Sequence, residues 1–215
     1  MNSSGINTDS VELVLKQGFI KKNLIIDRFG ITYGKKYIPF TEIVSLRYGS
    51  TKISVHGIPS SITYSFDFLD ATQKKFRVLF SAVALSKSSV REAEENNLAI
   101  IGVLWKYQTS KIVNEMIKNL NANRTVKIGN FEVERNGIRI TYKKFFFIKN
   151  EALLPWKDCL KGVGPGYLYI QSASNKKILA KSVFLRTWDL NAFYSLLNYL
   201  WADGKCYVME RGEKI

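Results

Sequence analysis

The 215 residues carry 32 lysines and arginines against 18 aspartates and glutamates, a formal charge of +14, with 46% hydrophobic and 13% aromatic residues. That length suits one large domain or two ordinary ones, and the composition is that of a globular chain rather than a disordered or fibrous one. The longest apolar run, Leu98 to Trp105, is far shorter than a bilayer-spanning helix requires, so no transmembrane segment is expected.

Met1 to Ser10 is polar and lacks the basic cluster and apolar stretch of a secretory signal, which predicts a cytoplasmic protein with residues 1–15 as a polar leader. Val11 to Gln17 reads as a short helix or strand, and strands follow at Gly18 to Lys22 and Asn23 to Asp27. A meander is predicted next, over Tyr37 to Tyr48, Lys52 to His56, Ser61 to Phe68 and Lys75 to Ala82. Within it Ile62, Tyr64, Phe66 and Phe68 alternate onto one face. From Ser86 the period changes to helical, with an interruption expected near Asn96-Asn97 and a stripe of Ile112, Met116, Ile117 and Leu120. The excess helical segment near 86–105 includes the Leu98 to Trp105 run, which either packs between domains or presents an apolar patch to a partner.

Asn121 to Arg124 is the predicted domain boundary. Each side of it carries a net charge of +7, which argues for two similar basic bodies rather than a basic tail on a neutral domain. The second half is predicted to hold strands at Thr125 to Arg135, Gly137 to Tyr142, Phe145 to Ile148, Ala152 to Leu160, Gly166 to Ala173 and Lys177 to Phe184. Asp189 is a predicted N-cap for a helix whose apolar stripe is Leu190, Phe193, Leu196, Leu197 and Leu200. Residues 204–215 are expected to form a tail.

The two halves share a phrase. Ile38-Pro39-Phe40-Thr41-Glu42-Ile43 returns as Leu154-Pro155-Trp156-Lys157-Asp158-Cys159, each preceded by a Gly-Ile step at Gly30-Ile31 and Gly137-Ile138. The glycine-to-proline spacing is 9 residues in the first copy and 18 in the second, so the second copy must carry a longer hairpin. A repeat of this kind speaks to architecture before any motif does.

An antiparallel meander closed by one amphipathic helix, with a Gly-Ile step ahead of an Ile-Pro-aromatic-x-acid-aliphatic strand, resembles the pleckstrin-homology superfamily, in particular its bacterial PH-like and GRAM-like branches. The resemblance spans residues 16–122 and 125–203. It implies an α+β, mainly β fold of two tandem partly open barrels of antiparallel strands, each closed by a C-terminal helix. It also implies a non-enzymatic binding or scaffold module that recognises anionic membrane lipid or an acidic protein, peripherally at a membrane surface in the lipid case.

The residues nearest to the superfamily's basic hairpin pattern are Lys21, Lys22, Arg28, Lys35 and Lys36 in the first copy. In the second they are Arg135, Arg139, Lys143 and Lys144. Neither set has the full spacing, so no particular headgroup is implied, and a lysine pair in a turn is also an ordinary solvent contact. Phe145, Phe146 and Phe147 are expected either to belong partly to the core or to form a protruding hairpin that inserts into a bilayer above its lysines. The same cluster with Tyr142 suits nucleic-acid stacking, the alternative function.

Catalytic and metal chemistry find little support in the sequence. His56 is the sole histidine, too few for a zinc cluster. Cys159 and Cys206 lie 47 residues apart with no C-x-x-C, which predicts reduced thiols, Cys159 being a small buried hydrophobe. Pairing of His56 with Cys159 as base and nucleophile is the one nucleophilic arrangement the sequence leaves open. The Gly162-Val163-Gly164-Pro165-Gly166 segment lacks the Lys-Ser/Thr of a phosphate loop, and no cofactor is expected.

Overall fold

The computed structural model describes residues 9–145, 148–202 and 204–215, and of Lys144 and Phe145 the backbone only. The fold is mainly antiparallel β-sheet and divides into two compact units, Met1–Ser110 and Lys111–Ile215.

In the first unit β1 (Val11–Gln17), β2 (Ile20–Ile26), β3 (Gly30–Tyr33) and β4 (Lys36–Pro39) form a four-stranded meander. Residues 11–15, expected in the leader, therefore belong to the fold: Val11 and Leu15 are buried opposite Ile26 and Lys22. A three-stranded meander follows, of β5 (Ile43–Val55), β6 (Ile58–Asp70) and β7 (Lys75–Val83). The period-two reading of β6 holds, since Tyr64, Phe66 and Phe68 are buried. Tyr64 stacks on Phe80 at 4.9 Å and Phe66 on Tyr48 at 5.4 Å. Each such ring contributes about 1.5–3 kcal/mol by leaving water.

The predicted strand over Tyr37 to Tyr48 breaks at Pro39. Proline has no N–H for the ladder, and Phe40 to Glu42 turn, with the Glu42 and Ile43 amides donating to the Pro39 and Phe40 carbonyls. Lys52 to His56 is no separate strand but the far part of β5, whose two-residue turn holds His56 and Gly57 at φ 49° and 80°.

Ser86 caps α1 (Lys87–Leu104), its hydroxyl accepting the Ser89 amide. This helix runs unbroken through Asn96-Asn97 and lies against β7 and β1. Its apolar run is split by the helical period: Ile100, Val103 and Leu104 are buried while Leu98 and Trp105 are exposed. The irregularity comes later, as a π turn at Trp105–Thr109. Tyr107 stacks there on Phe40 at 5.8 Å, and the buried Gln108 donates through Nε2 to the Ile43 carbonyl at 2.8 Å, beside a bulge in β5. The extra residue in the helical turn lets adjacent side chains meet both partners.

The second unit takes up α2 (Ser110–Asn121) from Lys111 onward, so the helix expected to close the first half instead adds Val113, Met116 and Leu120 to the second unit's core. The meander of β8 (Val126–Ile128), β9 (Phe131–Glu134), β10 (Gly137–Phe145) and β11 (Ile148–Pro155) is followed by a 3-10 turn at Trp156–Asp158. A second meander, β12 (Cys159–Gly164), β13 (Tyr167–Ser172) and β14 (Leu179–Val183), precedes α3 (Leu190–Ala202) and α4 (Lys205–Glu210). Gly129, at φ 59°, divides the predicted Thr125 to Arg135 strand in two. Phe145 and Ile148 pair across the end of the β10–β11 hairpin instead of sharing a strand. Asp189 stands just ahead of α3 with its carbonyl accepting the Phe193 amide, but at φ 58° rather than in the extended conformation usual for a cap.

Residues 204–215 are not a tail. Cys206 and Met209 of α4 are buried in the core, Arg135 Nε donates to the Met209 carbonyl at 3.1 Å, and the Asn121 side-chain amide bonds both the N–H and the carbonyl of Ile215.

Both units thus share an order of four strands, a turn, three strands and a helix, to which the second adds α2 before its strands and α4 at its end. In both, the shared phrase does the same work: Gly30 lies directly across from Pro39, and Gly137 directly across from Pro155. The aromatic after each proline is buried against an aromatic of a helical segment, Phe40 on Tyr107 and Trp156 on Trp201. A Cβ at Gly30 would stand 2.4 Å from the Ile38 carbonyl oxygen, and one at Gly137 2.0 Å from that of Leu154. Gly30→Ala and Gly137→Ala are each expected to lower stability by about 1–3 kcal/mol through forced strand separation. Gly137→Ala should be the worse, because φ is 155° there. Urea unfolding checks this; unchanged midpoints in both variants would mean that the glycines are not packing constraints.

Candidate anion-binding surface

The β1–β2 hairpin sets the character of the first unit's surface. Gly18, at φ 60°, makes the tight turn, leaving Phe19 fully exposed at the tip and Ile20 exposed beside it. One step from the tip Lys16 and Lys21 face each other across the two strands. Like charges placed directly opposite repel. Glu92 relieves this on one side only, 3.2 Å from the Lys16 ammonium, and Lys21 makes no ion pair among the described residues.

Strand alternation puts Lys22 on the face that carries Leu24 and Ile26, its ammonium 5.1 Å from the centre of the Tyr33 ring. The β3–β4 turn folds back to the same end of the sheet, where the Gly34 amide donates to the Asn23 carbonyl and Lys36 lies across from Tyr33. Lys21, Lys22, Lys35 and Lys36 are therefore brought to one end of the sheet. Arg28 is not. It sits in the β2–β3 turn at the opposite end, its guanidinium 4.6 Å over the exposed ring of Phe29.

In the second unit the basic residues separate by role. Arg139 Nε donates to Glu134 at 2.5 Å and lies across from Glu132. The hydrogen bond with Glu134, then the charges of Glu134, Glu151 and Glu132, raise its pKa, so this cation is already balanced inside the sheet. Arg135 holds α4, as described above. Lys143 is exposed towards the far end of the β10–β11 hairpin, opposite Lys149. Phe146 and Phe147 lie outside the described residues, as do the side chains of Lys144 and Phe145.

Reading the sequence missed Phe19, Lys16 and Lys149. Gly18 was the available signal for the first two, since a glycine between two alternating segments marks a hairpin and hence its tip. Lys149 had no comparable marker, because its partner is fixed only by the register of an eight-residue strand.

Nucleophilic chemistry gains nothing from the geometry. Burial pushes the Cys159 thiol up to about 12, its Sγ donating to the Leu154 carbonyl at 3.3 Å, the reverse of what a reactive thiolate needs. Cys206 is likewise a buried free thiol raised by burial. His56 occupies the exposed tip of the β5–β6 hairpin. Among the described residues no three His, Cys, Asp or Glu side chains are grouped as metal ligands, and no helix is long and apolar enough to cross a membrane.

No family model matches this chain, and neither a curated protein nor a solved structure matches it.

Proposed function

We propose that the chain is a tandem pair of pleckstrin-homology-like units and acts as a non-enzymatic module that docks on anionic membrane surfaces through basic hairpins. The observation carrying this reading is the β1–β2 hairpin, with Phe19 and Ile20 exposed at its tip above Lys16, Lys21 and Lys22. An exposed phenyl ring at a loop tip loses nothing in folding by its position, but gains about 1.5–3 kcal/mol if it enters an apolar phase. Lysines one step behind it then stand at headgroup depth, each worth about 1 kcal/mol near an anionic surface. Lys35 and Lys36 at the same end of the sheet extend the basic collar. The shared order of four strands, three strands and a helix supports the tandem reading.

Flotation with vesicles of phosphatidylcholine alone or mixed with phosphatidylserine tests this. Wild-type protein should float with the anionic vesicles only. Phe19→Ser and the double change Lys21→Glu/Lys22→Glu should each weaken binding by at least about tenfold, given the energies above. Equal behaviour on both vesicle types at moderate salt would overturn the membrane reading. Salt-steep binding to generic DNA or RNA in its place would make the nucleic-acid alternative the better account.

A further inference from the structure

We propose that the first unit carries a second site, which shares Lys36 with the basic collar: a cleft between β4 and the β6–β7 turn that binds a small phosphate monoester bearing hydroxyl groups. The cleft has a volume of about 360 Å³, at the lower end of small-molecule sites and too small for a polymer segment. Ile38 and Phe76, both buried, form its apolar floor.

Two cations enter from different elements, Lys36 from the start of β4 and Lys74 from the β6–β7 turn, and neither forms an ion pair among the described residues. Lys75 also lines the cleft, but its ammonium is committed 2.8 Å from Asp67. Two ammonium groups outside any ion pair among the described residues match one phosphate dianion. Each offers three rotatable N–H donors, which suits a tetrahedral oxyanion more than a planar carboxylate.

The turn that presents Lys74 is fixed. Asp70 Oδ1 accepts the Thr72 amide at 2.8 Å, the Thr72 hydroxyl at 2.7 Å and the Lys74 amide at 2.9 Å. The Thr72 hydroxyl above all, with the Lys74 amide, holds the Asp70 carboxyl below its ordinary range. That oxygen is spent on the turn, while the Asp70 charge also acts on Lys74, so a bound phosphate shares this lysine's field with Asp70.

Glu42 sets the limit on the ligand. Its exposed carboxylate lines the same cleft and would repel a second phosphate while accepting a hydrogen bond from a hydroxyl. The arrangement therefore selects monophosphates over polyphosphates, and hydroxylated esters over bare phosphate.

The test is an amide-resolved NMR titration of the full chain with glycerol 3-phosphate, inorganic phosphate, pyrophosphate and glycerol. Saturable shifts are expected at Lys36 to Ile38 and Asp70 to Phe76 with glycerol 3-phosphate. Inorganic phosphate should bind more weakly, pyrophosphate more weakly still, and glycerol not at all. Lys36→Ala/Lys74→Ala should raise the dissociation constant at least tenfold, and Glu42→Gln should erase the preference for glycerol 3-phosphate over inorganic phosphate. Both lysines are solvent-facing, so loss of folding does not confound the comparison. Vesicles containing phosphatidic acid form a second arm: a Lys74→Ala defect there assigns the ester to a lipid, and a defect confined to the soluble titration assigns it to a free metabolite, either supporting the site. No saturable shift up to about 10 mM ester, or binding indifferent to the double variant in both arms, would overturn it. The soluble titration involves no membrane and no hairpin insertion, so its outcome is independent of the flotation result.

Discussion

Asp67→Ala is expected to destabilise the first unit by about 3 kcal/mol, the scale of removing one partner from a buried ionic network. Asp67 sits in mid-sheet, across from Arg47 on β5 and from Arg77 on β7, so that three charges form one row over three strands. Its side chain is only 2% exposed, covered by Arg47 Nε at 3.0 Å, Lys75 Nζ at 2.8 Å and Arg77 Nε at 2.6 Å. Without the carboxylate, three cations face one another across adjacent strands. The estimate sits at the low end because the Arg77 and Lys75 side chains remain 46% and 32% exposed and can turn outward.

Protonation should mimic the substitution. Burial opposes ionisation of Asp67, but the hydrogen bonds from Arg77, Lys75 and Arg47 outweigh it and hold its carboxyl below the ordinary value. A depressed folded-state pKa contributes stability that is fully present above the unfolded value, about pH 4, and is lost as pH falls through the folded value. Urea unfolding at neutral pH and near pH 3 should show the wild type losing stability in acid, and Asp67→Asn, already weakened at neutral pH, losing less. Parallel acid dependence in the two proteins would mean that the row does not carry the effect.

Trp156→Ala should cost the second unit about 3–5 kcal/mol, the range for deleting a large buried aromatic. Trp156 is 1% exposed and packs edge-on against Trp201 at 5.2 Å between ring centres. Its indole N–H donates to the Arg135 carbonyl at 2.8 Å. Alanine leaves a cavity and a carbonyl without its donor, and Arg135 is the residue that also holds Met209 of α4. Trp156→Phe fills most of the space and removes the hydrogen bond, so it should lose about 1 kcal/mol beyond the difference in volume. Calorimetric midpoints separate the three proteins. A Trp156→Ala protein within about 1 kcal/mol of wild type would mean that the site collapses to fill itself.

The parts of the fold legible from sequence were those whose signal is local. Tyr64, Phe66 and Phe68 announce a half-buried strand by their alternation, and Leu190, Phe193, Leu196, Leu197 and Leu200 announce a helix by theirs. The Gly-Ile and Pro-aromatic phrases were legible too, though as a repeat; that each glycine meets its proline across a strand pair depends on register. What stayed hidden depends on residues distant in sequence. Pro39 could have marked the strand break, yet the apolar residues on either side read as continuous. The π turn carries a side chain, Gln108, whose partner is a carbonyl 65 residues away. Arg47, Asp67, Lys75 and Arg77 look like unrelated surface charges until β5, β6 and β7 align. Of the candidate surface, Lys21, Lys22, Lys35 and Lys36 were found and do share one end of a sheet. Arg28 and Arg139 were grouped with them by likeness to a basic hairpin pattern without its full spacing, and such a likeness does not say which end of a strand a residue occupies or which carboxylate lies opposite.

The two units lengthen different hairpins. The first extends β5–β6 to thirteen residues a side, whereas its β3 and β4 have four residues each; the second extends β10 and β11 to nine and eight, whereas its β12 and β13 have six each. Neighbouring copies of one topology are prone to misassemble while they fold, by lending a strand to each other. Here an exchange fits badly. If β11 took the place of β4 beside β3, with Pro155 across from Gly30, pairing would end after four residues and leave the other half of β11 without a ladder. The unequal hairpins thus set a penalty on strand exchange that a pair of equal hairpins would lack.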